Sequence, residues 1–425
     1  MRGSASSPRR PVVGVGWREV WGWVAMARPQ LAEDMGTDEH VRVTSQKKPG
    51  FLDRLGETTG GMLVGLAAFL LSFYLLFTNE GRCVRTQKSL DEGLSLVVHL
   101  NDIYSPTPLN DGKLVHLIGP LMTTQPLYDP NYGISLHVVK LQRRVEMYQW
   151  VEYGDSRDYE ENGEKKTETR YSYDTEWKSE VVSSRNFDRE VGHKNPSSMA
   201  VESLTVVAPV VNLGNFYLSK GLIEKIQSFK KMPLSKFEAP HADITVLDDY
   251  FYHSRNPRSP EVGDVRVSFH YAGLSGQWSF LGPPYTVTVV ARQQTNALAA
   301  YSTRAGNHLE ILYEEQLSAT EVFEREHAAN STLTWALRIA GWLLMFVGLK
   351  LMVRILHTLV DWLPIVRDLV SLGLTVFALC VATSLSLLTV AVGWVFYRPL
   401  LALLLTLLAL LPMLMAKARD RPKTL

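Results

Sequence analysis

The sequence predicts an α+β membrane protein: four transmembrane helices, with a large β-rich domain inserted between the first and the second. Three observations carry that expectation. An uncharged apolar run, GGMLVGLAAFLLSFYLLF, occupies residues 60–77. The other long apolar runs are gathered into roughly the last ninety residues. Between them lies a polar stretch of 257 residues, Thr78 to Thr334, patterned largely as strands. A soluble chain scatters its apolar residues to build a core. Uncharged runs of this length instead match a hydrocarbon layer about 30 Å thick.

Composition narrows the function. With 44 Lys and Arg against 43 Asp and Glu, the net charge is +1, so bulk charge argues for no nucleic-acid partner. The mean hydropathy of -0.03 averages a greasy end with a charged middle. There are two cysteines: Cys83 just past the first apolar run and Cys380 inside a later one. The large domain therefore has no internal disulfide and depends on an ordinary hydrophobic core. Cys83 is read as a free thiol, pairing between chains being the alternative.

The elements follow in order. Residues 1–57 are expected to be a disordered segment. The first 34 of these, with Trp17, Trp21 and Trp23 among Arg, Gly and Pro, read as a poorly ordered extension, with Met35 an alternative beginning. The first helix, residues 58–78, reads as a signal anchor. Its uncharged run rises about 27 Å; no small-residue cleavage site follows it and a long polar stretch precedes it. Residues 79–334 form the inserted domain. The second helix, residues 335–358, centres on IAGWLLMFVGLKLMV, with Arg338 and Lys350 near its ends expected to snorkel. A short loop, 359–368, leads to the third helix, 369–396. Tyr397-Arg398-Pro399 turns the chain into a fourth, 400–416, and a basic tail, 417–425, ends it.

Orientation follows from Lys and Arg near the helix ends. Arg42, Lys47, Lys48 and Arg54 precede the first helix. Lys417, Arg419, Arg421 and Lys423 follow the fourth, and Arg354 and Arg367 flank the loop between the second and third. The turn after the third has only Arg398, although Arg82, Arg85 and Lys88 dilute the contrast. The balance puts both termini in the cytosol or nucleoplasm and the large domain in a lumen or outside the cell.

The third helix carries Thr375, Cys380, Thr383, Ser384, Ser386 and Thr389. Small and hydroxylated residues let helices approach closely and hydrogen-bond across an interface. Helix packing is the preferred reading of these six, and a pore lining the alternative.

Within the inserted domain, seven segments alternate as strands do: 113–119, 135–153, 167–182, 242–254, 264–274, 285–294 and 308–315. Asn162-Gly163 is a hairpin-turn signal. Residues 219–229 have helical spacing. Ser318 with Glu321 three residues on forms a capping box that starts a helix running toward the membrane. Residues 105–121 and 258–274 echo one another weakly, as a duplicated β unit would.

Catalytic patterns are sparse. The chain has no HExxH, GxSxG or CxxC. His241, Asp243 and His253 read as a loop and strand rather than a metal cluster, and His193-Lys194-Asn195-Pro196 as a polar turn. Glu160, Glu161 and Glu164 read as a solvated tip. The acceptor motif Asn330-Ser331-Thr332 stands too near the second helix for easy glycosylation. The expectation is a protein that is not an enzyme, with no cofactor, no catalytic or metal residues and no identified small-molecule substrate.

Several long stretches resemble the transmembrane protein 43 (LUMA) family. They are PGFLDRLGETTGGMLVGLAAFLLSFYLLFTNEGR (49–82), VEMYQWVE (145–152), ETRYSYDTEW (168–177), NFDREVGHKNPSSMAVES (186–203), VGDVRVSFHYAGLSG (262–276), RILHTLVDWLPIVRDLV (354–370) and CVATSLSLLTVAVGWVFYRPL (380–400). The resemblance runs from about residue 36 to the end, is looser over 277–310, and leaves the first 34 residues outside. It implies a multi-pass protein of the inner nuclear membrane and endoplasmic reticulum, its large domain lumenal. It further implies a scaffold that binds emerin and lamins, forms homo-oligomers through its membrane part, and has links to innate immune and NF-kappa-B signalling. Lamin contact would fall to the N-terminal segment, the 354–368 loop or the C-terminal tail, all short, which leaves room for an indirect association. The alternative is an ion channel or a gap-junction-associated conductance subunit, with the third-helix hydroxyls lining a water path and Lys350 or Arg354 setting its charge preference.

Overall fold

Three long helices stand out among the described residues. The computed structural model describes residues 39–46, 51–161, 164–276, 280–359, 364–400 and 402–404. Among them, three helices are long and apolar enough to cross a membrane. The fold is mixed α+β, with a large β-rich region between the first helix and the second. The expected fourth helix falls almost wholly outside the described residues, as do the extension 1–34 and the Asn162-Gly163 turn.

The described residues divide into two compact units. One comprises 39–46, 146–200 and 258–265. It holds strand β1 (Glu39–Gln46), the outer part of β3 (Val138–Glu161) and all of β4 (Glu164–Lys178); β2 (Leu114–Thr123) lies in the other unit. β3 and β4 are antiparallel, in register from Met147 opposite Lys178 to Glu161 opposite Glu164. Within residues 1–57, expected to be disordered, residues 39–46 have strand geometry. There β1 pairs antiparallel with β4, Glu39 opposite Ser172 through Gln46 opposite Lys165. Alternation is weak in that segment, so its strand character comes from the ladder that β4 offers.

The segment 193–196, read as a polar turn, follows a turn closed by the His193 amide on the Glu190 carbonyl, and it buries His193 and Asn195 while Lys194 stays exposed. His193 stacks on Tyr173 at 3.9 Å and meets Trp150 edge-on at 4.8 Å. Asn195 Oδ1 accepts from the Trp150 amide, while its Nδ2 donates to the Trp150 and Val182 carbonyls. Buried polar groups need such partners, and these fix the segment across the face of β3.

The other unit contains the long helices and most of the β core. β2 pairs antiparallel with β8 (Thr286–Gln294), after β5 (Thr245–Leu247), β6 (Tyr250–His253) and β7 (Val265–Leu274) in chain order; β9 (Ile311–Tyr313) flanks β8. Val115, Leu117, Val287 and Val289 are fully buried, because alternate residues of both strands face the same interior. Within residues 219–229 the short helix α2 spans only Lys220–Lys225, and Ser219 caps it by accepting from the Leu222 amide.

The first long helix, α1 (Phe51–Leu96), has 46 residues and a length of about 69 Å. It overshoots a hydrocarbon layer about 30 Å thick. α3 (Ala319–Leu359) runs antiparallel to it, begun by the expected capping box: Ser318 N donates to Glu321, and Glu321 N donates to Ser318 Oγ. The third helix, α4 (Pro364–Tyr397), packs against both. Beyond their apolar stretches, α1 and α3 lay Leu90, Val322 and Phe323 against Leu114, Val290 and Leu309 of the β core. Each is therefore one continuous rod joining a membrane core, where Leu76, Met345, Leu349, Ala378 and Ala382 meet, to the β region.

Candidate functional site

The approach of the helices is set by glycine. A Cβ on Gly348 would stand 2.8 Å from the Gly65 carbonyl oxygen and 2.8 Å from the Phe69 amide nitrogen. Only hydrogen fits there, so α1 and α3 cross backbone to backbone. Gly393 serves α4 in the same way, since a Cβ would press at 3.0 Å on the Glu80 side chain.

At that level the three helices are tied by charge. Glu80 on α1 is fully buried. Arg338 on α3 donates to it through Nε at 2.7 Å and Nη2 at 2.9 Å. Trp394 on α4 adds a third donor, its indole Nε1 reaching Glu80 Oε2 at 3.0 Å. The guanidinium lies 4.8 Å from the Trp335 ring centre and 5.8 Å from that of Trp394. Removing a carboxylate from water costs several kcal/mol, and bidentate pairing with further hydrogen bonds is what offsets it. Arg338 thus does not snorkel, as its place near a helix end suggested: its charge is satisfied inside the bundle.

A second polar layer lies one turn farther along α1. Asn79 Nδ2 donates to the Thr334 carbonyl, and Arg82 donates to Asn330 Oδ1, Asn79 Oδ1 and Thr334 Oγ1. Asn330 Nδ2 in turn donates to the Cys83 carbonyl at 3.1 Å. Asn330 is 8% exposed and its amide is occupied, so burial as well as membrane proximity opposes glycosylation there. Cys83 is a buried free thiol.

Two cavities flank these layers. An apolar cleft of about 330 Å³ lies between α3 and α4, and a polar chamber of about 320 Å³ opens beside Asn330, Thr334 and Arg398. Trp335, Arg338 and Trp394 border both.

Where the β core meets the start of α3, His116 of β2 is buried, its Nε2 donating to the Leu317 carbonyl at 2.9 Å. Its Nδ1 must then accept, and His99 Nδ1 donates to it at 2.8 Å. Burial holds the His116 imidazole below its ordinary 6.5; the Leu317 carbonyl opposes that shift and His99 adds to it. His253 Nε2 is engaged with the Tyr132 hydroxyl at 2.8 Å, and among the described residues no group of three His, Cys, Asp or Glu side chains could hold a metal.

The six hydroxyl and thiol candidates of the third helix divide between two faces. Ser386 and Thr389 are buried beside the Ala378 and Ala382 stripe, and their hydroxyls donate to the Thr383 and Leu385 carbonyls of their own helix. Thr375 is half-buried. Thr383 accepts from Trp342 Nε1 at 3.1 Å and donates to the Leu379 carbonyl. Cys380 and Ser384 are exposed on the opposite face. None of the six joins the Glu80 cluster. That cluster escaped the sequence reading because Glu80 stands among Arg82, Arg85 and Lys88 and reads as flanking charge. The available signal was one acid and one base at matching depth on antiparallel neighbours.

A family model described as "Transmembrane protein 43" matches residues 147–399. The chain is similar to transmembrane protein 43 of Homo sapiens, 60% identical over 387 residues that cover 91% of this chain and 97% of that one. It is likewise similar to the Mus musculus protein, 61% identical over 387 residues with the same coverage. The transmembrane protein 43 homolog of Drosophila melanogaster is 34% identical over 357 residues, covering 81% of this chain and 91% of that one. No solved structure matches.

Proposed function

The chain belongs to the transmembrane protein 43 family, and on that premise we propose that it is a multi-pass scaffold of the inner nuclear and endoplasmic reticulum membranes. In this reading its membrane helices associate with copies of themselves and with envelope proteins such as emerin. Lamins join directly or through such partners, and the β-rich region lies in the lumen. Innate immune and NF-kappa-B signalling would be downstream of such assemblies.

One observation carries the reading: α4 has a packed face and a free face, both bearing small residues. Ala378, Ala382 and Ser386 are spent inside the bundle. Cys380 and Ser384 lie four residues apart on the side that the described helices leave open. A small-residue ridge of that spacing suits a second helix. The hydroxyls of Thr383, Ser386 and Thr389 bond carbonyls of their own helix, which favours packing over a water path.

Chemical cross-linking in native membranes tests the reading. Ser384→Leu should reduce oligomer size and the yield of co-purifying envelope proteins; if both stay unchanged, the scaffold reading fails at this face. Single-channel steps in planar bilayers that vanish on Thr383 or Ser384 substitution would establish the conductance alternative instead.

A further inference from the structure

The two cavities that meet at Arg338 differ in chemistry. The cleft between α3 and α4 is walled by Leu76, Ile339, Trp342, Leu387 and Val390. The chamber is walled by Gln87, Asn330, Thr334, His327 and Arg398. Their shared border is Trp335, Arg338 and Trp394. An apolar slot and a polar pocket thus share one border at one end of the membrane core.

The charge at this junction is unbalanced. Arg338 of α3 and Arg398, just past the end of α4, wall the chamber, Arg82 of α1 bonds Asn330 and Thr334 of its wall, and Glu80 is the carboxylate bonded in that layer. Asp91, 3.2 Å from His327, is not among the residues that wall the chamber. The described partners of Arg398 are neutral: Gln87 Oε1 at 3.0 Å and the Cys83 sulfur at 3.6 Å. Surplus guanidinium charge beside hydrocarbon is costly unless an anion meets it. Guanidinium groups also bind phosphate oxygens strongly and directionally. Indole rings at this level match the headgroup zone of a bilayer.

We propose that the paired cavities are a binding site for one anionic phospholipid, an acyl chain lying in the cleft and the phosphate lying in the chamber against Arg398 and the open edge of Arg338. Guanidinium groups recognise a phosphate headgroup by charge and by directional hydrogen bonds, and the cleft supplies the apolar contact that a free phosphate would lack. The inference requires only that the three helices are embedded; it is independent of the scaffold reading.

The test is lipid retention by the full chain extracted in mild detergent and read by native mass spectrometry. Wild type should retain anionic phospholipid over phosphatidylcholine. Arg398→Gln should lower that retention about tenfold, a difference of roughly 1.4 kcal/mol, and Arg398→Lys should keep most of it. Leu387→Trp, which fills the cleft from an exposed position, should expel the lipid yet leave inorganic phosphate protection of the chamber. Equal retention of anionic and zwitterionic lipid overturns the proposal, as does retention indifferent to both Arg398→Gln and Leu387→Trp. Ready cross-linking of Leu387→Cys to a cysteine placed within 405–415 also overturns it, because the last segment of the chain would then occupy the cleft. Ser384→Leu oligomer measurements stand apart from all of these, so either idea can fail alone.

Discussion

Arg338 lies side-on to Glu80, two of its nitrogens reaching the two carboxylate oxygens at 2.7 and 2.9 Å. The pair bolts α1 to α3 where both leave the apolar core, and Trp394 brings α4 to the same carboxylate. Breaking a buried pair leaves a charge without compensation, which costs about 3–5 kcal/mol. Arg338→Ala and Glu80→Ala should each lower the unfolding midpoint in detergent by that order. A Glu80→Gln, Arg338→Gln double variant should recover part of the loss. Single variants as stable as wild type would show that the pair does not hold the helices.

The Gly65–Gly348 crossing should tolerate no side chain. A Cβ at either position meets backbone atoms at 2.7–2.8 Å, and backbone cannot swing away. Gly348→Ala should therefore cost about 1–3 kcal/mol by overpacking and loosen the α1–α3 contact, read as faster exchange or proteolysis. Gly373→Ala, where a Cβ would meet no described atom within 4 Å, is the control and should be neutral to slightly stabilising. Equal effects at the two sites would mean that the crossing is not close.

His116 predicts an acid-side loss of stability. Its folded-state pKa lies below the ordinary 6.5, so the unfolded chain binds the proton more readily. Stability is then fully present above that ordinary value and falls as pH drops from it through the lowered one. Burial also lowers His253, which shifts stability in the same direction. The thermal midpoint of wild type should decline below about pH 6.5, and His116→Asn should flatten part of that decline. An unchanged pH profile in the variant would refute the assignment.

Strand β1 precedes α1 and pairs with β4, which follows it. A helix that crosses a bilayer once between them puts the two strands on opposite sides, so the ladder and the crossing exclude one another. Magnitudes favour the crossing. Leu63, Val64, Leu66, Leu70 and Leu71 are exposed on α1, and burying each contributes roughly 1.5–3 kcal/mol. β1 is exposed along most of its length and tied by Arg42 and His40 to Asp188 at the surface, where such pairs contribute about 0–1 kcal/mol each. In sealed microsomes an impermeant maleimide should label Ser45→Cys and spare Ser156→Cys. Equal labelling of both would mean that the ladder survives and that α1 does not cross.

Much of the architecture was legible because it is local. The apolar run 60–77, the alternation in 113–119 and 285–294, and the Ser318–Glu321 capping box each express a period or a cap that a short segment carries by itself. What the chain could not announce are encounters between residues of separate segments, from 13 to more than 250 positions apart. Asn195 looked like a polar turn until Trp150 and Val182 enclosed it. Glu80 looked like a flanking charge until the glycines at 65, 348 and 393 let three helices close around it. Segment pattern decides which residues enter the membrane; the burial of a charge, and the partner that makes that burial tolerable, exist only once the helices have met.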